Sequence, residues 1–156
     1  MEEKSKQTYF MEQALELANL SIKEEEVPVG AVVVDKDGEI IGRGYNKIEK
    51  LKSQSAHAEV LAIEEACKIR GDWRLDDCSI YVTLEPCLMC FGLIKLSRIK
   101  AVFFGAKSLL FGVDLDNEKA FSLYKKDLFV QGGIKAQESI DLLKEFFKKR
   151  RSNKKD

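Results

Sequence analysis

Hydrophobic and polar residues follow a helical period at the start of the chain and then an extended pattern. Apolar residues recur at helical spacing from Thr8 to about Lys23, which predicts an amphipathic first helix. Pro28 precedes Val29–Val34, a β-favouring run that leads to the hairpin turn signal Asp37-Gly38. A second strand is predicted from Glu39 to Asn46. The N-terminal segment is therefore predicted to form a helix and a β-hairpin.

Helices and strands are predicted to alternate along the rest of the chain. The predicted helices are 58–70, 87–96, a short one at 115–124 and a terminal one after Gly132-Gly133, and the predicted strands are 79–84, 101–106 and 127–131. Such an alternation is typical of an α/β fold with a mostly parallel sheet covered on both faces, opened here by one antiparallel hairpin.

Length and composition favour a single domain, and the overall charge does not indicate a nucleic-acid or membrane partner. The chain has 156 residues, 45% of them hydrophobic, which is enough for one compact core and too little for two domains of ordinary size. Residues 1–156 are therefore taken as one domain. Lys and Arg total 26 and so do Asp and Glu, so no overall field indicates nucleic acid or a membrane surface, although a balanced total can conceal local patches.

The chain is expected to be cytoplasmic and to have no membrane partner. No apolar stretch is long enough to cross a bilayer, and the charged segment Met1–Gln7 lacks the apolar run of a secretion signal. Four cysteines could form two disulfides. However, Cys87 and Cys90 form a C-x-x-C pair, which in a cytosolic chain more often binds metal or performs redox chemistry. The sequence therefore predicts thiols.

Two predicted helix starts carry residues suited to zinc. His57-Ala58-Glu59 and Pro86-Cys87-Leu88-Met89-Cys90 together form the H-x-E and P-C-x-x-C signature of zinc nucleobase deaminases. A lone histidine is more often a surface or core residue than a ligand, but this context favours a ligand. Two cysteines three apart in a first helical turn project from one face, where the helix N-terminus favours thiolates. His57, Cys87 and Cys90 are predicted to bind one Zn²⁺ and to leave a fourth position for water.

Glu59 is the candidate catalytic proton shuttle. Two thiolates cancel the charge of zinc, so water there is acidified less than at an all-histidine site and needs a nearby base. Glu59 lies two residues from His57. The alternative is an acidic residue that merely favours the first turn of a helix. Cys67 and Cys78 are predicted not to be ligands, because they lie roughly 15 and 20 Å from the centre along their own elements.

The chain resembles the bacterial tRNA adenosine deaminases of the cytidine deaminase-like superfamily over nearly its whole length. The shared segments are 26–31 (EVPVGA), Asn46, 57–59 (HAE), 82–87 (VTLEPC), Cys90, 97–99 (SRI), 104–106 (FGA) and 146–151 (FFKKRR). Many deaminases share the metal-binding segments, whereas 26–31 and 146–151 are more particular to the tRNA branch. The resemblance implies a three-layer α/β/α fold, with helices on both faces of a five-stranded mixed sheet.

The resemblance also implies deamination of adenosine to inosine at the wobble position of a tRNA anticodon stem-loop. The base would be flipped into a pocket, where water displaces the amino group at carbon six and Glu59 moves the protons. Asn46 would hydrogen-bond the base, although it is equally compatible with an ordinary strand-ending asparagine. Further substrate contacts are expected from Val29, Gly30, Ala31, Leu84 and Lys107; residues 29–31 would form a pocket wall, or simply a buried strand. One Zn²⁺ per subunit and a twofold homodimer complete the expectation.

The basic C-terminal tail, about 148–156, is the local feature that favours RNA. From Lys144 to Asp156 there are seven basic residues and two acidic ones, a balance that suits phosphate contacts. Basic residues also suit the C-terminus of any helix.

Two departures from the tRNA branch keep other functions open. The segment 107–112 (KSLLFG) keeps the basic residue of that branch but replaces its aspartate and lysine, and the usual later Asn-His pair is missing. The runner-up function is therefore a deaminase of a free nucleobase or nucleoside of the guanine or cytosine type. A third possibility is a noncatalytic zinc-stabilised binding module, against which Glu59 and the open coordination position argue.

Overall fold

A computed structural model of the chain describes residues 2–108 and 128–154, and within them five strands form one mixed sheet with helices on both faces. The strands are β1 (Gly30–Val34), β2 (Ile40–Tyr45), β3 (Ser79–Leu84), β4 (Ala101–Ala106) and β5 (Phe129–Gln131), in the order β2-β1-β3-β4-β5. The helices are α1 (Glu3–Lys23), α2 (Ile48–Leu51), α3 (Ala58–Arg70), α4 (Leu88–Leu96) and α5 (Ala136–Lys154). The three-layer α/β/α fold expected from the family resemblance is confirmed.

The direction of β1 differs from that of the other described strands. It pairs antiparallel with both β2 and β3, whereas β3 pairs parallel with β4 and β4 with β5. The pattern predicted the hairpin between β1 and β2 within a mostly parallel sheet, and the antiparallel pairing of β1 with β3 follows from a strand order that the pattern did not specify. Because β1 is reversed, its first residue lies at the same edge of the sheet as the last residues of β2, β3 and β4.

Two hydrophobic cores lie on opposite faces of the sheet. In β1, Ala31 and Val33 pack into the core shared with α3 and α4, while Val32 and Val34 pack against α1. All five residues of β1 are buried, which explains its unbroken apolar run. Since full burial of an aliphatic side chain stabilises by about 1.5–3 kcal/mol, these alternating contacts hold the helices on both sides.

Several predicted boundaries coincide with the structure and others do not. The bounds of α3, β3 and β4 are as predicted, while α1 begins at Glu3 rather than Thr8. α4 begins at Leu88, so Pro86 lies outside it, and α2 occupies a stretch that was predicted as a polar loop. The predicted helix 115–124 lies outside the described residues, as do the first residue of the predicted last strand and residues 109–112 of the divergent loop.

None of the described helices is long and apolar enough to span a membrane.

A glycine lets α3 lie directly on the sheet. A Cβ atom on Gly44 of β2 would lie 2.3 Å from the carbonyl oxygen of Ala58, the first residue of α3. Any side chain at this position would push the start of the helix away. Gly44 therefore fixes the depth at which α3 begins, immediately after His57.

Candidate metal centre and substrate pocket

One edge of the sheet collects the residues that the sequence singled out. Asn46, Leu84 and Lys107 end or follow β2, β3 and β4, and Gly30 begins the reversed strand β1. The helices α3 and α4 also begin at this edge, because Ala58 lies against Gly44 near the end of β2 and Cys87 follows β3 by three residues. Ligands of open α/β sheets bind beyond the carboxyl ends of the strands, which is the position found here.

His57, Cys87 and Cys90 converge on one point. Nδ1 of His57 lies 3.4 Å from Sγ of Cys90 and 3.7 Å from Sγ of Cys87, and all three atoms lie within 4.8 Å of one another. Tetrahedral zinc, with Zn–S near 2.3 Å and Zn–N near 2.0–2.1 Å, would separate nitrogen and sulfur by about 3.6 Å. The donor set and its spacing therefore fit zinc, with Nδ1 as the histidine donor.

Helix starts explain why these side chains converge. His57 and Cys87 have extended backbones as the N-cap residues of α3 and α4, and neither side chain caps its helix. Cys90 is the third residue of α4, and N-cap and third-residue side chains meet as they do in a capping box. The predicted convergence of the two sulfurs thus arises from a cap and a first turn, not from two positions within a helix.

A hydrogen bond between the two sulfurs shifts the pKa values of the two cysteines in opposite directions. This bond with Cys90 lowers the pKa of Cys87 to about 4, and the same bond together with burial raises the pKa of Cys90. One thiolate therefore forms readily, and a cation is needed to stabilise the second.

Cys67 and Cys78 have the character of inert thiols. Burial raises the pKa of Cys78 to about 12 and also raises the pKa of Cys67. Neither belongs to the metal-binding group, and all four cysteines are free, as the sequence predicted.

Glu59 lies beside the ligand group and not on the solvent face of α3. Glu59 is only 4% exposed. Its carboxylate forms a hydrogen bond with the thiol of Cys90 and interacts electrostatically with His57. Burial raises the pKa of Glu59, since the ionised form loses its hydration. The alternative, an acidic residue that merely favours the first turn of a helix, does not require such burial. The role of Glu59 in proton transfer stays a prediction.

Asn46 is buried and joined to its backbone neighbours. Its Nδ2 donates to the carbonyl oxygen of Val27 at 3.2 Å, and its Oδ1 accepts from the amide of Ile48 at 3.3 Å. An amide side chain has two N–H donors and two lone pairs, so these bonds use one of each. Base recognition by Asn46 stays a prediction that this geometry permits.

The wall residues have a structural reason that the sequence analysis did not give. A Cβ on Gly30 would lie 2.0 Å from the carbonyl oxygen of Ala14, so the close approach of α1 by itself requires the glycine. Ala31 is fully buried on the other face of the sheet, and Val29 packs at the margin of the same core. Leu84 pairs with Ala106 at the end of β3. Their contact with a substrate stays a prediction.

Lys107 lines a groove between the end of β4 and α5. The groove has a volume of about 270 Å³ and is lined by Ala106, Lys107, Ile140, Leu143, Lys144, Phe147 and Arg151. Phe147 is 43% exposed there, next to three cationic residues. The groove does not include the metal-binding group, so Lys107 is placed on a neighbouring surface and not in the centre itself.

Two buried carboxylates had no role assigned from the sequence. Glu26 is 1% exposed and accepts from the backbone amides of Glu49 and Lys50, and Glu85 is 4% exposed and accepts from the amide of Ser108 at 3.2 Å. Glu26 follows two other glutamates, so charge pattern alone does not distinguish it from a solvated residue. Its closeness to Pro28 and β1 was the available signal.

Comparison with known proteins identifies the family. Residues 4–106 match the cytidine and deoxycytidylate deaminase zinc-binding region. The chain belongs to this deaminase family. The match includes the whole ligand group and Glu59, so the expected resemblance is confirmed.

Individual deaminases are similar over different shares of the chain. A tRNA-specific adenosine deaminase of Streptococcus pyogenes serotype M18 (strain MGAS8232) is 42% identical over 158 residues, covering 96% of this chain and 95% of that protein. A solved structure from a study of A-to-I editing by tRNA:A34 deaminases at the wobble position of transfer RNA has a TM-score of 0.81 at 37% identity, covering 87% of this chain and 99% of that chain. A guanine deaminase from Bacillus subtilis has a TM-score of 0.61 at 41% identity, covering 69% of this chain and 66% of its own.

Proposed function

We propose that this chain converts adenosine to inosine at the wobble position of tRNA by zinc-dependent hydrolysis. The observation that carries the substrate assignment is the extent of the match: the family-wide deaminase region ends at residue 106, whereas similarity to a tRNA-specific adenosine deaminase covers 96% of this chain and 95% of that protein. The similarity therefore extends beyond the shared chemistry into the C-terminal part, which includes α5. A tRNA substrate also implies the cytoplasm as the place of action.

The arrangement of side chains suits hydrolytic deamination. His57, Cys87 and Cys90 would hold the zinc, which when bound acts as a Lewis acid that makes water more acidic. The carboxylate of Glu59 takes one proton from the water and passes it to the ring nitrogen beside carbon six. It then takes the second proton from the oxygen added to carbon six and gives it to the departing amine as the carbon–nitrogen bond breaks. Water and adenosine thereby give inosine and ammonia. Asn46 orients the base, and Val29, Ala31 and Leu84 present apolar surface that keeps bulk water from the reacting carbon.

The groove on α5 supports a nucleic-acid substrate. Lys107, Lys144 and Arg151 surround the exposed ring of Phe147 at the edge of the sheet where the metal centre lies. RNA loops are commonly bound by cations that contact phosphate together with aromatic rings that stack on unpaired bases. An enzyme of free bases does not require such a surface.

A free-base deaminase is the alternative that one observation favours. The guanine deaminase from Bacillus subtilis is 41% identical to this chain, but its similarity covers only 69% of the chain and 66% of its own length. The chemistry of the centre fits either substrate. The difference in coverage is the reason for placing tRNA first.

We also propose a twofold dimer that uses α4, with one Zn²⁺ per subunit. Leu88, Met89 and Leu96 of this helix are 70%, 42% and 60% exposed. Met89 and Leu96 are seven residues apart and lie on one helix face, where large exposed apolar side chains are typical of an interface. Sedimentation equilibrium should give a dimer, and Leu96→Lys should shift it towards monomer. A monomeric parent protein would contradict the proposal.

A single set of assays separates the candidate functions. The purified zinc-loaded chain is incubated separately with unmodified tRNA, adenosine, cytidine and guanine, and inosine in tRNA and free ammonia are measured. We expect inosine in tRNA and no turnover of the small substrates. Ammonia released from guanine or cytidine alone would select the alternative, and no product from any substrate would favour a noncatalytic zinc-binding module.

A further inference from the structure

We propose that Glu26 is a positioning residue that holds the segment 46–51, here called the α2 segment, against residues 27–29 and thereby orients Asn46. The inference rests on the proposed function, because it takes Asn46 as a contact to the substrate base. It assigns a role to a buried carboxylate that lies outside the metal-binding group.

The carboxylate of Glu26 serves as the cap of α2. It is 1% exposed, and its Oε1 accepts from the amide of Glu49 at 3.0 Å while its Oε2 accepts from the amide of Lys50 at 2.9 Å. First-turn amides have no partner within their own helix, and Lys47, the N-cap residue, supplies no side-chain bond. Hydrogen bonds to an ionised carboxylate are roughly twice as strong as neutral ones. Since a four-residue helix is not stable alone, this distant cap stabilises α2, together with the exposed ion pair between Lys50 and Glu24.

Asn46 joins the same two parts of the chain from the other side. Its backbone amide donates to the carbonyl oxygen of Val29 at 3.1 Å, and its Nδ2 donates to that of Val27 at 3.2 Å. Its Oδ1 is held by the amide of Ile48, the first residue of α2, at 3.3 Å. If Glu26 releases α2, the amide of Ile48 moves and the oxygen of Asn46 loses its donor. The orientation of the Asn46 amide therefore depends on Glu26.

The metal centre is held by other contacts. α3 packs on β2 at Gly44, and α4 is anchored by Phe91 and Ile94 in the core that it shares with α3 and the sheet. The α2 segment reaches the start of α3 through the bond from the amide of Lys47 to the carbonyl oxygen of Ala56, 3.0 Å long. Loss of the Glu26 cap should therefore affect substrate binding more than zinc binding, which distinguishes positioning from general support of the fold.

The variant Glu26→Gln tests this role in the zinc-loaded full-length chain. Glu49→Gln is the matched control, because it removes an exposed carboxylate from the same segment without touching the cap. For Glu26→Gln we expect faster hydrogen exchange at the amides of residues 46–51, unchanged zinc content, and a KM for tRNA raised about tenfold, as the loss of a hydrogen bond to a charged group implies. We expect kcat to change less than KM. The control should match the parent in all four measurements.

Three results would overturn the proposal: unchanged exchange in the α2 segment, faster exchange with an unchanged KM, or a loss of zinc parallel to the loss of activity. If Glu26→Gln does not fold, Glu26→Asp, which keeps the charge but is one methylene shorter, replaces it in the same comparison. The substrate of the parent protein shows whether this inference or the proposed function has failed. If the parent deaminates a free base and not tRNA, the proposed function is wrong. The role of Glu26 is then tested by whether Glu26→Gln raises the KM for that base.

Discussion

At the scale of single residues, the buried carboxylates differ in which groups of the protein interact with them. Among the described residues, the buried acidic side chains are Glu26, Glu59 and Glu85. Glu26 and Glu85 accept hydrogen bonds from backbone N–H groups, which fix the chain around each carboxylate. Glu59 instead faces the side chains of Cys90 and His57, and burial raises its pKa. Of these carboxylates, Glu59 is the one that lies against the residues of the metal-binding group.

This difference predicts the behaviour of Glu59→Gln. The amide keeps the shape of the side chain but cannot carry the proton, so turnover should fall by about 10²–10⁴, the usual contribution of a general acid-base group. Zinc content and thermal stability should remain near those of the parent, because Glu59 is not among the three convergent ligand residues. Glu64→Gln, on the exposed side of the same helix, is the control. Full activity in Glu59→Gln would exclude the proposed proton shuttle.

The residues that sequence reasoning found and missed differ in how far away their partners lie. His57, Cys87 and Cys90 were found because metal coordination requires particular side chains at short, fixed spacings, and both can be read directly from the sequence. Glu26 binds backbone amides 23 and 24 residues away, and every sequence carries backbone amides. Gly30 was identified, but the helix that requires it is separated from it in the sequence and meets it only in the fold.

At the scale of elements, the local pattern predicted the bounds of α3, β3 and β4 and the hairpin of β1 with β2, but not the order of the strands in the sheet. Gly71 ends α3 in the left-handed conformation that glycine favours, a signal carried by one letter. An apolar run such as β1 has no direction, so its antiparallel pairing with β3 could not be seen in the sequence. α2 is only four residues long, too short for a periodicity to appear.

The contact of α3 with β2 predicts a large effect of Gly44→Ala. The added Cβ would lie 2.3 Å from the carbonyl oxygen of Ala58, so the start of α3 has to move. We expect a loss of about 1–3 kcal/mol in the free energy of unfolding, as in other overpacked cores. Because His57 precedes this turn, zinc affinity should fall as well. Denaturant unfolding and competition with a zinc chelator measure the two effects.

Gly92→Ala provides the control for this substitution, with all proteins compared in the Leu96→Lys background because Gly92 lies between Met89 and Leu96 on the proposed dimer face. A Cβ on Gly92 meets nothing within 4 Å, and the residue lies inside α4. Replacing a helical glycine by alanine at such a position should stabilise the protein by about 0.5–1 kcal/mol. Equal stability of the two variants would show that the approach of α3 to β2 is not as close as the structure has it.

At the scale of the whole molecule, a formal net charge of zero conceals an uneven distribution. All cations of α5 except Lys144 follow its buried residue Phe146, and its other buried residue, Ser139, donates to the carbonyl oxygen of Thr83 at 2.6 Å. This bond attaches α5 to β3, the strand that leads to Cys87. The basic groove is therefore fixed relative to the metal centre, so that phosphate contacts there can set the position of a base in the pocket.

The double variant Lys144→Gln and Arg151→Gln tests this arrangement. If both residues contact phosphates, the affinity for tRNA should fall. The slope of the logarithm of the association constant against the logarithm of the salt concentration should become less steep by about 1.4–1.8 for two lost contacts. Lys36→Gln with Lys100→Gln removes the same charge at the opposite edge of the sheet, where β1 ends and β4 begins, and should leave the slope closer to that of the parent. Zinc content should not change in either variant, because neither pair contacts the ligand group. Equal slopes for the two double variants would mean that tRNA responds to the overall charge and not to the groove, and the RNA-binding surface would then have to be sought elsewhere on the molecule.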